Sequence, residues 1–96
     1  MYFKFKDAVK VDKSVESIHY MARKKPKLVL GGTYYFSFGS HIAAPCKLVH
    51  IFEERGKVDI EATRIMDKKE SQITYCLFWD EIGLTPEEAV INTVTG

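Results

Sequence analysis

The side chains capable of chemistry are few: two cysteines, three histidines and thirteen acids among 96 residues. A metal site needs thiolate and imidazole ligands to converge. Cys46 and His50 lie four apart in a strand-like run, so on an unbroken strand they share a face. Their Cα atoms would then stand about 13 Å apart, too far for one zinc ion. Cys76 would have to supply a cross-strand ligand, and no further ligand is evident in the sequence. The expected reading is a packed core thiol at Cys46, with no metal and no cofactor.

Nucleophilic catalysis needs a hydroxyl or thiol beside a positioned base. Ser40 and His41 are neighbours in sequence, but adjacent residues seldom present their side chains to each other. The flanking glycines and strand–turn–helix context of a nucleophile elbow are also absent. Two acid pairs exist, Asp59 with Glu61 and Asp80 with Glu81. The first alternates with apolar residues and belongs on the wet face of a strand, where acids keep a sheet soluble. The second follows a strand and precedes a turn. Neither carries the environment that splits two carboxyl groups into an acid and a base. The expectation is a protein that is not an enzyme.

Arg23-Lys-Lys-Pro-Lys27 is a basic cluster. It can grip phosphates, with His19 or Tyr20 stacking a base. The same cations also suit a helix C-terminus, where they complement the dipole and the bare carbonyls. Residues 1–28 hold eight Lys/Arg against three acids, and the remainder six against ten. That asymmetry fits an acidic partner, or two halves of one small domain attracting each other. The second candidate surface is Gly39–Pro45. It is the longest stretch without periodicity inside the strand-rich region, and Ile42-Ala43-Ala44 is apolar for an exposed connection. Such a loop docks a partner or plugs its own fold. Trp79, at a strand end, is a possible interface anchor.

These residues sit on a sequence written largely in alternation. In Val58–Ile65, Val58, Ile60 and Ala62 take one face, and Asp59, Glu61 and Thr63 the other. Tyr2–Lys6 reads as an opening strand. Thr33–Phe38, Cys46–Phe52, Val58–Met66 and Gln72–Trp79 follow, the last three joined by polar turns at Glu54–Lys57 and Asp67–Ser71. Short links between successive strands predict an antiparallel meander. Pro45 belongs at the start or edge of a strand, because it cannot donate to the ladder. Val15, Ile18, Met21 and Ala22 recur at helical spacing, predicting a helix near 13–24 that Pro26 ends. Thr85-Pro86-Glu87-Glu88 predicts a second helix near 86–94, with Thr85 as N-cap, Pro86 in the first helical position and Glu88 completing a capping box.

One α+β domain over residues 1–96 follows, mainly antiparallel β. Its expected form is a small, partly open five-stranded barrel. The strand spacing resembles Src-homology-3-like small barrels in architecture, and no family motif accompanies it. An open sheet with both helices on one face is the alternative. The start of the chain reads as neither a secretory signal nor a membrane span, so a cytoplasmic protein with free thiols is expected. The expected function is a small non-catalytic binding module acting through contact with another protein or a second copy of itself. Its candidate contact residues are Ser40, His41, Ile42 and Trp79. The alternative is a nucleic-acid binder using Lys10, Lys13, Arg23, Lys24, Lys25 and Lys27.

Overall fold

The computed structural model describes residues 4–11, 28–38 and 41–95, with side chains as far as residue 90. The helix expected near 13–24 and the first residues of the opening strand lie outside the described residues. What is described is mostly antiparallel sheet with a short C-terminal helix. The strands are β1 (Lys4–Phe5), β2 (Val9–Lys10), β3 (Thr33–Ser37), β4 (Ile42–Phe52), β5 (Lys57–Met66), β6 (Lys69–Phe78) and β7 (Ile82–Gly83), and the helix is α1 (Pro86–Thr95). The hydrogen-bonded order is β6-β5-β4-β3-β7, and the path does not close on itself.

The meander β4–β5–β6 forms as its alternation and turns dictate. Val58, Ile60 and Ala62 are buried and pair with Leu77, Tyr75 and Ile73 of β6. Between β4 and β5 a one-turn 3₁₀ segment, Glu53–Arg55, ends at Gly56, whose φ of 65° is the left-handed conformation glycine adopts without strain. Between β5 and β6 the turn is tighter than expected. Only Asp67 and Lys68 separate Met66 from Lys69, and both have positive φ, 54° and 65°. Two such residues give the mirror-image turn whose twist matches a hairpin.

The β4 strand differs from the reading of its sequence. Ile42–Pro45 is its first part, not a loop. Ala43 and Ala44 are both 0% exposed, because this stretch is covered on both faces. Ala44 joins Phe5, Tyr34, Phe36, Cys46, Leu48, Val58 and Ile60 in the main core, while Ala43 packs with Val11, Ala89 and Val90 beneath α1. Burial on both faces erases the alternation that betrays a strand. Pro45 lies opposite Tyr35 of β3, in the gap between the β2 and β5 pairings on the other side of β4. Proline is tolerated where a ladder partner is missing. Further along, Leu48 faces Ile60 but His50 faces Asp59, so Val49 is one extra residue. The bulge reverses which residues point inward. Cys46 is buried and His50 exposed, correcting the expectation that they share a face.

The sheet must curl. Four spacings of about 4.8 Å separate β6 from β7 across a flat sheet, roughly 19 Å. The chain crosses from Phe78 to Ile82 in four Cα steps, at most about 14 Å, and Trp79–Glu81 coils as a 3₁₀ turn on the way. β1 and β2, joined by a turn in which Asp7 has φ 61°, fill the corner where β4 and β5 part. β1 pairs with the end of β5 and β2 with the start of β4.

α1 starts as its sequence signals: the Glu88 N–H donates to Thr85 Oγ1 at 3.1 Å. It does not seal the face that holds Val58, Ile60 and Ala62. It covers the opposite face of β3 and β4, through Ala89 and Val90. Gly83 permits that docking, because a Cβ there would lie 2.7 Å from the Ala89 nitrogen and 2.8 Å from the Glu88 Cβ. Gly83→Ala is expected to loosen α1 and cost about 1–3 kcal/mol. Leu48→Ala, at a fully buried site, is expected to cost about 2–5 kcal/mol. Urea unfolding of each variant against the parent protein checks both values.

Candidate functional site

The expected contact residues do not come together. Ser40 lies outside the described residues. His41 is half-buried at the tip between β3 and β4, with φ 59°. Its carbonyl accepts from the Val11 N–H at 2.7 Å. Ile42 is half-buried and opposite Lys10 of β2. Trp79 sits at the other end of β4, beside the Glu53–Arg55 turn. Its backbone N–H donates to the Gly56 carbonyl at 3.0 Å, and its ring packs on the main core. With Leu28, Ile51, Phe52 and Lys57 it lines a cleft of about 50 Å³. Trp79 therefore closes a rim and does not extend the His41–Ile42 corner. Of the basic residues, Lys10 is exposed on β2, and Lys13, Arg23, Lys24, Lys25 and Lys27 lie outside the described residues.

The residues that do converge are aromatic. Phe5 of β1, Phe36 of β3, Phe38 just beyond it and Tyr75 of β6 form one cluster. Phe5 stands 5.1 Å from Phe36, 4.7 Å from Phe38 and 5.9 Å from Tyr75 between ring centroids. Phe36 and Tyr75 are 6.1 Å apart. Edge-on and tilted rings at these separations attract beyond simple burial. The cluster fills the inside of the curl but does not seal it. A half-open cleft of about 230 Å³ remains, lined by these four rings with Ser37 and Leu77. Phe38 is 43% exposed at its mouth. The sequence put each row in phase on its own strand. It did not say that β3 and β6 face each other, which follows from the curl.

Beside the cleft runs β6. Among the described residues it pairs with β5 alone, so one edge of residues 69–77 is open, while at Phe78 the edge N–H is taken by Glu81. Natural edges are usually blunted by charge, proline or a bulge. Here the charges stop at Lys69 and Glu70, and Ser71–Phe78 has none. By that rule the uncharged run reads as a central strand, so the sequence carried no signal of its own for this edge.

The polar surface is quieter. On the wet face His50 stacks on Phe52, ring centroids 4.3 Å apart, and Lys57 lies 5.1 Å over the exposed Phe78 ring. Asp59 and Glu61 are on this face, as their alternation predicted. Glu81 is committed to structure, its Oε1 accepting from the Phe78 N–H at 2.8 Å. Between Pro45–Lys47 and Glu61–Thr63, where β4 and β5 part, lies a shallow groove of about 260 Å³ with mixed lining. Among the described residues no cluster of His, Cys, Asp or Glu has the makings of a metal site, and no helix is long and apolar enough to cross a membrane. No family model, curated protein or solved structure matches the chain.

Both cysteines are free, Cys46 buried and Cys76 exposed. Burial pushes the Cys46 thiol from 9.0 up to about 12, against a hydrogen bond from the Tyr34 backbone that lowers it. A thiolate is the reactive form. An alkylating reagent at mildly alkaline pH is expected to modify Cys76 and spare Cys46 until the protein is unfolded, as peptide mass mapping will read. The unfolded chain loses the Cys46 proton from about pH 9, and the folded chain only near 12. Between these values the unfolded state binds fewer protons, so Cys46 lowers stability as pH rises. Cys46→Ala should flatten that alkaline decline in urea titrations.

Proposed function

We propose that this chain is a small non-catalytic binding module that works by protein–protein contact, with an extended segment of the partner laid along β6. One observation carries this: the open, largely uncharged edge of β6 borders the cleft of Phe5, Phe36, Phe38 and Tyr75. An added strand gains main-chain hydrogen bonds from such an edge, and alternate side chains find burial in the neighbouring cleft. The curled, open sheet with a one-turn link into its last strand is read as a partly open small barrel, similar in architecture to Src-homology-3-like folds. Two free cysteines suit a reducing compartment, and the proposed setting is the cytoplasm.

Phe38→Asp puts a charge at the mouth of the cleft while leaving the buried rings in place. Affinity capture from native lysate, with a differently tagged copy of the chain co-expressed, should recover protein on the wild type. Recovery on Phe38→Asp should be several-fold lower at an unchanged melting transition. Recovery of nucleic acid alone on the wild type would support Lys10 and the basic segment instead. That result, no recovery at all, or equal recovery on both proteins would overturn the reading.

A further inference from the structure

Resting on the contact-module reading, we infer that the occupant of the β6 edge is a second copy of this chain, paired antiparallel about a two-fold axis near Thr74. Three features of β6 select a copy of itself. The first is alternation. Ile73, Tyr75 and Leu77 face the inside of the curl, and Gln72, Thr74 and Cys76 face water. An axis near Thr74 sets inward residues opposite inward ones, so both copies keep their apolar rows on one side of a continuous sheet.

The second feature is charge. The hairpin end of β6 carries Lys68 and Lys69 beside Asp67, with Lys6 paired to Glu70 at 3.6 Å, and is cationic on balance. The other end carries Asp80 and Glu81, next to the turn of Glu53, Glu54 and Arg55, and with Lys57 opposite Phe78 it is acidic on balance. A parallel neighbour would set like ends together. An antiparallel copy brings the lysines of each chain toward the acids of the other at both ends of the contact. The third is the edge itself. Ser71–Phe78 has neither proline nor charge, so nothing along the middle of the strand opposes pairing.

The test is a charge swap at Thr74, which is exposed and points away from the core. Sedimentation of the purified wild type is expected to show a reversible monomer–dimer equilibrium that weakens with added salt. Thr74→Lys and Thr74→Glu each place like charges face to face across the axis, raising the dimer dissociation constant roughly ten-fold or more. An equimolar mixture of the two variants should regain dimer, which a variant that merely misfolds will not do. A wild type monomeric at every concentration, variants that dimerise like it, or a mixture that stays monomeric would each overturn the second copy as occupant. If the wild type is monomeric and Phe38→Asp still loses captured protein, the contact module stands with a different partner. If capture is also indifferent to Phe38, both readings fall.

Discussion

Trp79–Glu81 has to carry the chain from one edge of the sheet to the other. A flat arrangement of these strands puts the two edges farther apart than so short a link can reach, so the sheet has no choice but to curl. Most of the rest follows. The curl brings β3 and β6 face to face and makes one cluster of rings from three separate strands. It leaves β1 and β2 as a wedge at the corner where β4 and β5 separate. It also leaves a seam, because β6 and β7, the two ends of the path, do not pair. The cleft and the open edge are two aspects of that seam.

Elements whose causes are local were legible in the sequence. The β5 and β6 strands alternate because only one of their faces packs. Gly56 marks a turn because the chain there needs a left-handed residue. Thr85 and Pro86 start a helix for reasons confined to four residues. Elements whose causes lie far away in sequence were not. Ala43 and Ala44 look like loop residues until α1 covers one side of them and the main core the other. The two-residue strands β2 and β7 have no pattern of their own and exist only because β4 and β3 offer them an edge.

The same division runs through the candidate site. Trp79 and the His41–Ile42 corner were singled out because they looked unusual in sequence. They occupy opposite ends of an eleven-residue strand and are tied into local structure. The site with the better physical claim is built from residues that each looked ordinary. Phe36 and Tyr75 are unremarkable strand aromatics until the fold sets them 6.1 Å apart. The uncharged run along β6 was visible from the start, but it gains meaning only once that strand is known to lie at an edge and not in the middle of the sheet.

Val49 gives β4 something like a reading frame. Before it, even-numbered residues such as Cys46 and Leu48 look into the core; after it, His50 is outside and Ile51 looks in. One strand can thus line the interior with its first half and still turn an imidazole and a phenyl ring, stacked together, toward solvent with its second. Were Val49 instead paired opposite Asp59, with no bulge, strict alternation would drive His50 into the place now held by Ile51. The extra residue is therefore a parity switch, and the polarity of everything downstream on the strand is written against it.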